Sequence, residues 1–211
     1  MNITKLLIIA PHTDDAELGC GGTIARYLAE GASVHVAAFS TADESLPSDC
    51  PAGTLRTEFL ESMRRLGVPE GNAHVFGYPV RKLSYHRQEV LESLVRLKAE
   101  LNPDTVFIPA GTDLHQDHQV LHNEGLRAFK DRTVWGYELP WNHIDFSAQA
   151  FVVLNDSHLG VKWSALTCYR SQLALNRPYF TPEFIYGLAR VRGTQVRAEY
   201  AEAYQVLRVR V

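Results

Sequence analysis

The sequence predicts an α/β fold in which one open, mostly parallel sheet carries helices on both faces. Three observations lead to that expectation. Uninterrupted apolar runs such as Leu6–Ala10 and Val106–Ile108 suit strands covered on both sides. Between such runs lie segments whose apolar residues recur at helical spacing. The 211 residues, 45% of them hydrophobic, suffice for one large core. The arrangement expected is Rossmann-like, with ligands bound beyond the carboxyl ends of the strands.

Lys5–Ala10 is the first strand. Gly22–Glu30 has helical spacing through Ile24 and Leu28 and stops at Gly31. Val34–Phe39 is the second strand, so the first forty residues read as a βαβ unit with a right-handed crossover. Ser40–Gly53, with Pro47, Pro51 and two aspartates, is a loop long enough to serve a site. Thr54–Leu66 is a helix with Leu55, Phe59, Met63 and Leu66 on one stripe. Ala73–Phe76 is a short strand, Arg87–Leu101 an amphipathic helix and Thr105–Pro109 the fourth strand. Val120–Phe129 reads as a helix and Thr133–Tyr137 as a strand. Beyond residue 138 the alternation weakens: Ala150–Leu154 is a strand, Val161–Tyr169 and Glu183–Val191 are helices, and Tyr204–Val209 is an edge strand. No repeat or linker interrupts the chain, so residues 1–211 are expected to form a single domain.

The formal charge of −3 gives no broad reason to expect nucleic acid or an acidic membrane as partner. No stretch approaches the ~20 apolar residues of a membrane span, and the five-residue run near the N-terminus is too short for a signal sequence. Cys20, Cys50 and Cys168 are too few and too scattered for a disulfide framework. A cytoplasmic location is the expectation.

Two His/Asp clusters stand at strand ends. Pro11-His12-Thr13-Asp14-Asp15-Ala16-Glu17-Leu18-Gly19-Cys20-Gly21-Gly22 follows the first strand, and His115-Gln116-Asp117-His118 follows the fourth. A catalytic zinc takes three protein ligands and keeps a position open. His12 and an aspartate three residues on can share one ion, and His118 completes a set of two histidines and a carboxylate. Such a set leaves a net charge of plus one beside a divalent ion and acidifies water toward a pKa of about 7. Spacing alone does not choose between Asp14 and Asp15 as ligand. The remaining aspartate can act as a base, His115 can face an oxyanion as an imidazolium, and Asp117 can fix a histidine's tautomer as a supporting carboxylate. His122 sits on the same helix face as His118 and reads as a surface residue. The glycine run is not a GxGxxG fingerprint; the glycines are expected to let the backbone pass close to the metal loop, with Cys20 a small packed residue.

These residues resemble the PIG-L/LmbE family of zinc-dependent N-acetyl-sugar deacetylases, whose marks are an HPDD-x-E-x-G-x-GG segment and a later HPDH. Here threonine and glutamine replace the two prolines, and neither change removes a ligand-capable group. The resemblance implies that His12, Asp15 and His118 bind zinc, or ferrous iron in its place. It also implies that Asp14 is the general base and His115 polarises the acetyl carbonyl. The substrate implied is a small amino-sugar conjugate, and monomer and oligomer both stay open.

Arg56 matches an arginine that binds sugar hydroxyls in family members. Trp141, Glu138 and Asn142, in Tyr137-Glu138-Leu139-Pro140-Trp141-Asn142, are further substrate-binding candidates, Trp141 by stacking on a sugar face. Thiol-pathway members carry an Asp-Gly where this chain reads Tyr78-Pro79-Val80-Arg81-Lys82, a basic pair suited to a nucleotide- or lipid-linked sugar. The wording around residue 140 resembles members associated with surface-polysaccharide synthesis. Two other classes compete: a metal-dependent hydrolase of another bond, such as a phosphoester, and a non-catalytic sugar- or nucleotide-binding protein. The lack of ligands for a second metal disfavours the former, and intact Asp14 and His115 disfavour the latter.

Overall fold

The computed structural model describes residues 3–46 and 50–211. Pro47 and Asp49 of the expected loop lie outside them. Among the described residues seven strands form one sheet in the order β3-β2-β1-β4-β5-β7-β6. The strands are β1 (Lys5–His12), β2 (Ser33–Ser40), β3 (Ala73–Val75), β4 (Thr105–Pro109), β5 (Thr133–Tyr137), β6 (Ala150–Leu154) and β7 (Tyr200–Arg208). The first five are parallel, and β7 pairs antiparallel with both β5 and β6.

Among the described residues seven α-helices accompany the sheet: α1 (Asp15–Ala29), α2 (Thr54–Leu66), α3 (Arg87–Leu101), α4 (Gln116–Ala128), α5 (Asp156–Leu166), α6 (Arg170–Leu173) and α7 (Pro182–Thr194). Alternation along the strands divides the core. Leu6, Ile8 and Ala10 of β1 pack with α1, α2, α5 and α7, while Leu7 and Ile9 face α3 and α4. Both sides being covered explains the unbroken apolar runs. The strand order reverses between β1 and β4, so their carboxyl ends open the crevice in which α/β sheets bind ligands.

Three expectations are corrected. The first helix starts at Asp15, seven residues before Gly22, so Gly19, Cys20, Gly21 and Gly22 lie inside it. Three glycines weaken helix propensity, but tertiary packing overrides it. A Cβ on Gly19 would stand 2.5 Å from Cδ2 of Tyr137, and one on Gly22 would stand 2.4 Å from Cδ1 of Leu154. The glycines therefore bring α1 against β5 and β6, a different role from easing the metal loop. Next, α4 begins at Gln116 and takes in most of the second His/Asp cluster. Finally, β7 starts at Tyr200 and lies between β5 and β6, leaving β6 at the edge. Its buried first half, Tyr200-Ala201-Glu202-Ala203-Tyr204, lacks a long apolar run and so reads weakly.

A buried ion pair enters α1 from the side. Nζ of Lys162, on α5, lies 2.7 Å from Oε1 of Glu202 on β7 and donates to the Leu18 carbonyl at 2.7 Å. The Glu202 carboxylate accepts the Gly22 and Thr23 amides at 3.0 and 2.7 Å. Leu18 and Gly22 are the two ends of one helical i to i−4 step, so the pair holds the helix backbone at mid-length.

Candidate active site

His12 is the last residue of β1, and its amide donates to Oδ2 of Asp15 at 2.9 Å, folding the His12–Asp15 turn back on itself. Nδ1 of His12 lies 3.1 Å from Oδ2 of Asp15, Nε2 of His118 lies 3.3 Å from the same oxygen, and the two nitrogens are 3.3 Å apart. Ligands 2.0–2.2 Å from one ion at tetrahedral or octahedral angles stand roughly 3.0–3.5 Å from one another. The three atoms thus have the mutual spacing of ligands to a single ion.

Outer hydrogen bonds set the tautomers. Nε2 of His12 faces Oδ2 of Asp117 at 3.0 Å, and Nδ1 of His118 faces Oδ2 of Asp113 at 2.7 Å. Each carboxylate holds a proton on the outer nitrogen and turns the other nitrogen's lone pair inward. Three inward acceptors at such distances repel one another unless a positive charge sits among them. Protons answer that demand when no ion is bound. Burial alone would lower the two histidines, but Asp117 and Asp15 push His12 up to about 9. For His118, Asp15 and Asp113 reverse the burial effect and push it up to about 10. Asp15 is held far below the usual carboxylate range by His118 and His12, against its own burial. The donor set fits a divalent cation.

Asp14 and His115 flank the cluster and line the same cavity. Burial, then the neighbouring Asp15 charge, raises Asp14 to about 6, where a carboxyl both takes and returns a proton near neutral pH. His115 caps α4: its Nδ1 accepts the Asp117 amide at 3.2 Å. Burial and the charges of His118 and His12 push it down to about 4. With Nδ1 accepting from the Asp117 amide, the ring carries its proton on Nε2. A ring nitrogen of His115 also lies within 4.8 Å of those of His12 and His118.

A cavity of about 240 Å³ opens over these groups. Trp141 and Asn142 line it, as the sequence suggests, but one face of Trp141 is already covered by Tyr179, with ring centroids 3.8 Å apart and planes at 10°. Glu138 is turned away from it: its Oε2 accepts from Nε of Arg192 at 2.9 Å, in a buried pair beside a second, smaller pocket. Arg56 is exposed on α2 and does not line the cavity, where its neighbour Leu55 does. Three site residues escaped the sequence reading. Asp113 is buried two residues before His115, and its nearness to the motif was the available signal. Arg177 and Tyr179 arrive from the segment between α6 and α7, with no local mark.

The family model described as PIG-L, GlcNAc-PI de-N-acetylase, matches residues 7–129. The uncharacterized deacetylase YaiS of Escherichia coli K12 is 22% identical over 172 residues, 79% of this chain and 90% of that protein. A 1D-myo-inositol 2-acetamido-2-deoxy-alpha-D-glucopyranoside deacetylase of Mycobacterium avium is 30% identical over 142 residues, 54% of this chain and 47% of that protein. Among solved structures, the N,N'-diacetylchitobiose deacetylase of Pyrococcus horikoshii superposes with a TM-score of 0.78 at 22% identity, covering 98% of this chain and 84% of that one. GalB, the 4-carboxy-2-hydroxymuconate hydratase of Pseudomonas putida, superposes with a TM-score of 0.79 at 20% identity, covering 99% and 98%. These two likenesses establish a shared fold alone, and a fold that carries both a deacetylase and a hydratase leaves the chemistry to the residues.

Proposed function

The chain belongs to the PIG-L family, and from that premise we propose that it is a zinc-dependent hydrolase of the N-acetyl amide of an amino sugar or sugar conjugate. The observation that carries this reading is the mutual spacing of His12 Nδ1, Asp15 Oδ2 and His118 Nε2, at 3.1–3.3 Å. These three residues would hold the ion, with Asp117 and Asp113 orienting the histidines. When bound, the ion supplies Lewis acidity, lowering the pKa of water and drawing charge from a carbonyl.

Asp14 takes the proton of the attacking water as the water oxygen adds to the acetyl carbon. Nε2–H of His115 donates to the oxyanion that develops. Asp14 then gives its proton to the sugar nitrogen as the C–N bond breaks, leaving acetate and a free amine. The stacked Trp141 and Tyr179 supply an apolar wall against a sugar ring, and Asn142 offers polar atoms beside it. The wording around residue 140 supports a substrate drawn from surface-polysaccharide synthesis.

The test is acetate release from N-acetylhexosamines, free, nucleotide-linked and glycoside-linked, with metal content measured on the same preparation. Acetate lost with chelator and restored by zinc is the expected result. Bound metal with no acetate from any member would overturn the deacetylase reading.

A further inference from the structure

We propose that Arg81 and Arg177 form a clamp for a phosphate group, so that the substrate is a phosphorylated N-acetylhexosamine. This rests on the deacetylase reading above and narrows its substrate class. Both arginines line the cavity over the metal cluster, and neither is in an ion pair with a described residue.

Each is braced. Nη1 of Arg177 donates to the Tyr179 hydroxyl at 2.7 Å, and Tyr179 is stacked on Trp141, so the guanidinium stands on an aromatic wall. Arg177 lines the same cavity as Asp14 and His115. Arg81 has a left-handed backbone, φ 63°, a conformation that costs energy for a residue with a Cβ and persists only where surroundings impose it. The imposing group is Asp117, whose Oδ2 accepts the Arg81 amide at 2.6 Å and also faces Nε2 of His12. One carboxylate thereby registers a basic residue against a metal-ligand histidine.

Size and charge limit the ligand. The cavity, about 240 Å³, is smaller than the ~300–1,000 Å³ of sites that enclose a drug-sized molecule. It takes one sugar ring, leaving any larger aglycone outside. A phosphate carries about −1.5 to −2 at pH 7 and is matched by two guanidiniums, whose forked donors suit its oxygens. A carboxylate would leave one of them unmatched.

The experiment compares N-acetylglucosamine, its 1-phosphate and its uridine-diphosphate conjugate on the zinc-loaded protein. Acetate release and calorimetric binding are both measured, for wild type and for Arg81→Gln and Arg177→Gln. The expected result is a kcat/KM and affinity at least about tenfold higher for a phosphorylated sugar, with that ratio falling at least about tenfold in each variant. A monoester preference over the diphosphate conjugate would identify a free sugar phosphate; the reverse would identify a nucleotide-linked one. Equal acetate release from neutral and phosphorylated sugars would overturn the clamp and leave the deacetylase intact. A phosphate preference that survives both substitutions would overturn the assignment to these arginines. Arginine-dependent binding of the phosphorylated sugars with no acetate from any substrate would uphold the clamp and overturn the deacetylase reading.

Discussion

Asp113 Oδ2 lies 2.7 Å from Nδ1 of His118, and both side chains are almost wholly buried. Asp117 stands in the same relation to His12, at 3.0 Å. Asp113→Asn and Asp117→Asn are each expected to weaken zinc binding about 10–100-fold, because an amide no longer fixes the tautomer or raises ligand basicity. Competition with a chromogenic chelator measures the affinity. Unchanged affinity in both variants would remove these carboxylates from the metal's supporting shell.

Asp14→Asn should leave the ion bound and reduce kcat by about 10²–10⁴, the range of a lost general acid–base. Metal content and turnover on one preparation separate the two effects. Loss of zinc from the variant would make Asp14 a ligand and sink its role as a base.

Lys162→Met is expected to destabilise the fold by about 3–5 kcal/mol, since Glu202 is then buried without its partner. The double variant Lys162→Met with Glu202→Gln should recover part of that loss. Urea unfolding of the three proteins tests this, and a single variant as stable as wild type would show the pair to be dispensable.

Gly19→Ala should lower the melting temperature, since its new methyl would meet the Tyr137 ring at 2.5 Å. Overpacking of this kind costs about 1–3 kcal/mol. Tyr137→Leu combined with Gly19→Ala should relieve the contact in part. A single variant with an unaltered melting temperature would show that α1 can shift freely against β5.

His35 on β2 and His74 on β3 stack with ring nitrogens 3.3 Å apart. Burial, then the charges of His74 and Lys5, lowers His35 to about 4. Its folded value is below its unfolded one, about 6.5, so the unfolded chain takes up the proton first. The contribution to stability is present above pH 6.5 and is lost as pH falls toward 4. Between pH 7 and pH 5 the wild type should lose more stability than His35→Gln, measured by denaturant midpoints. Equal losses would show that His35 titrates alike in both states.

What was legible in the sequence follows how local each cause is. The boundaries of α2, α3, β4 and β5 read correctly because apolar periodicity and the glycine or turn residues beside them act within a few positions. His12, Asp15 and His118 come together as the spacing leads one to expect, because each lies in a short motif at a strand end. The Leu55, Phe59 and Met63 stripe already placed Arg56 on the outer side of its helix. Glu138 was captured by Arg192, 54 residues away, and nothing near either residue announces that pairing. The start of α1 was missed because its glycines serve contacts with Tyr137 and Leu154, more than a hundred residues distant.

The match to the family model stops at residue 129, while Lys162 and Glu202 hold α1 from outside that span. Trp141, Asn142, Arg177 and Tyr179 also come from the later part of the chain. The cavity wall is thus drawn from both stretches of the chain, Leu55 and Arg81 from the earlier one and Trp141 and Arg177 from the later. Residues of the cavity wall are free to drift toward new sugars over evolutionary time. A lineage that loses the cation at 162 or the carboxylate at 202 loses the anchorage of α1 at its middle, the helix that runs on from the His12–Asp15 turn.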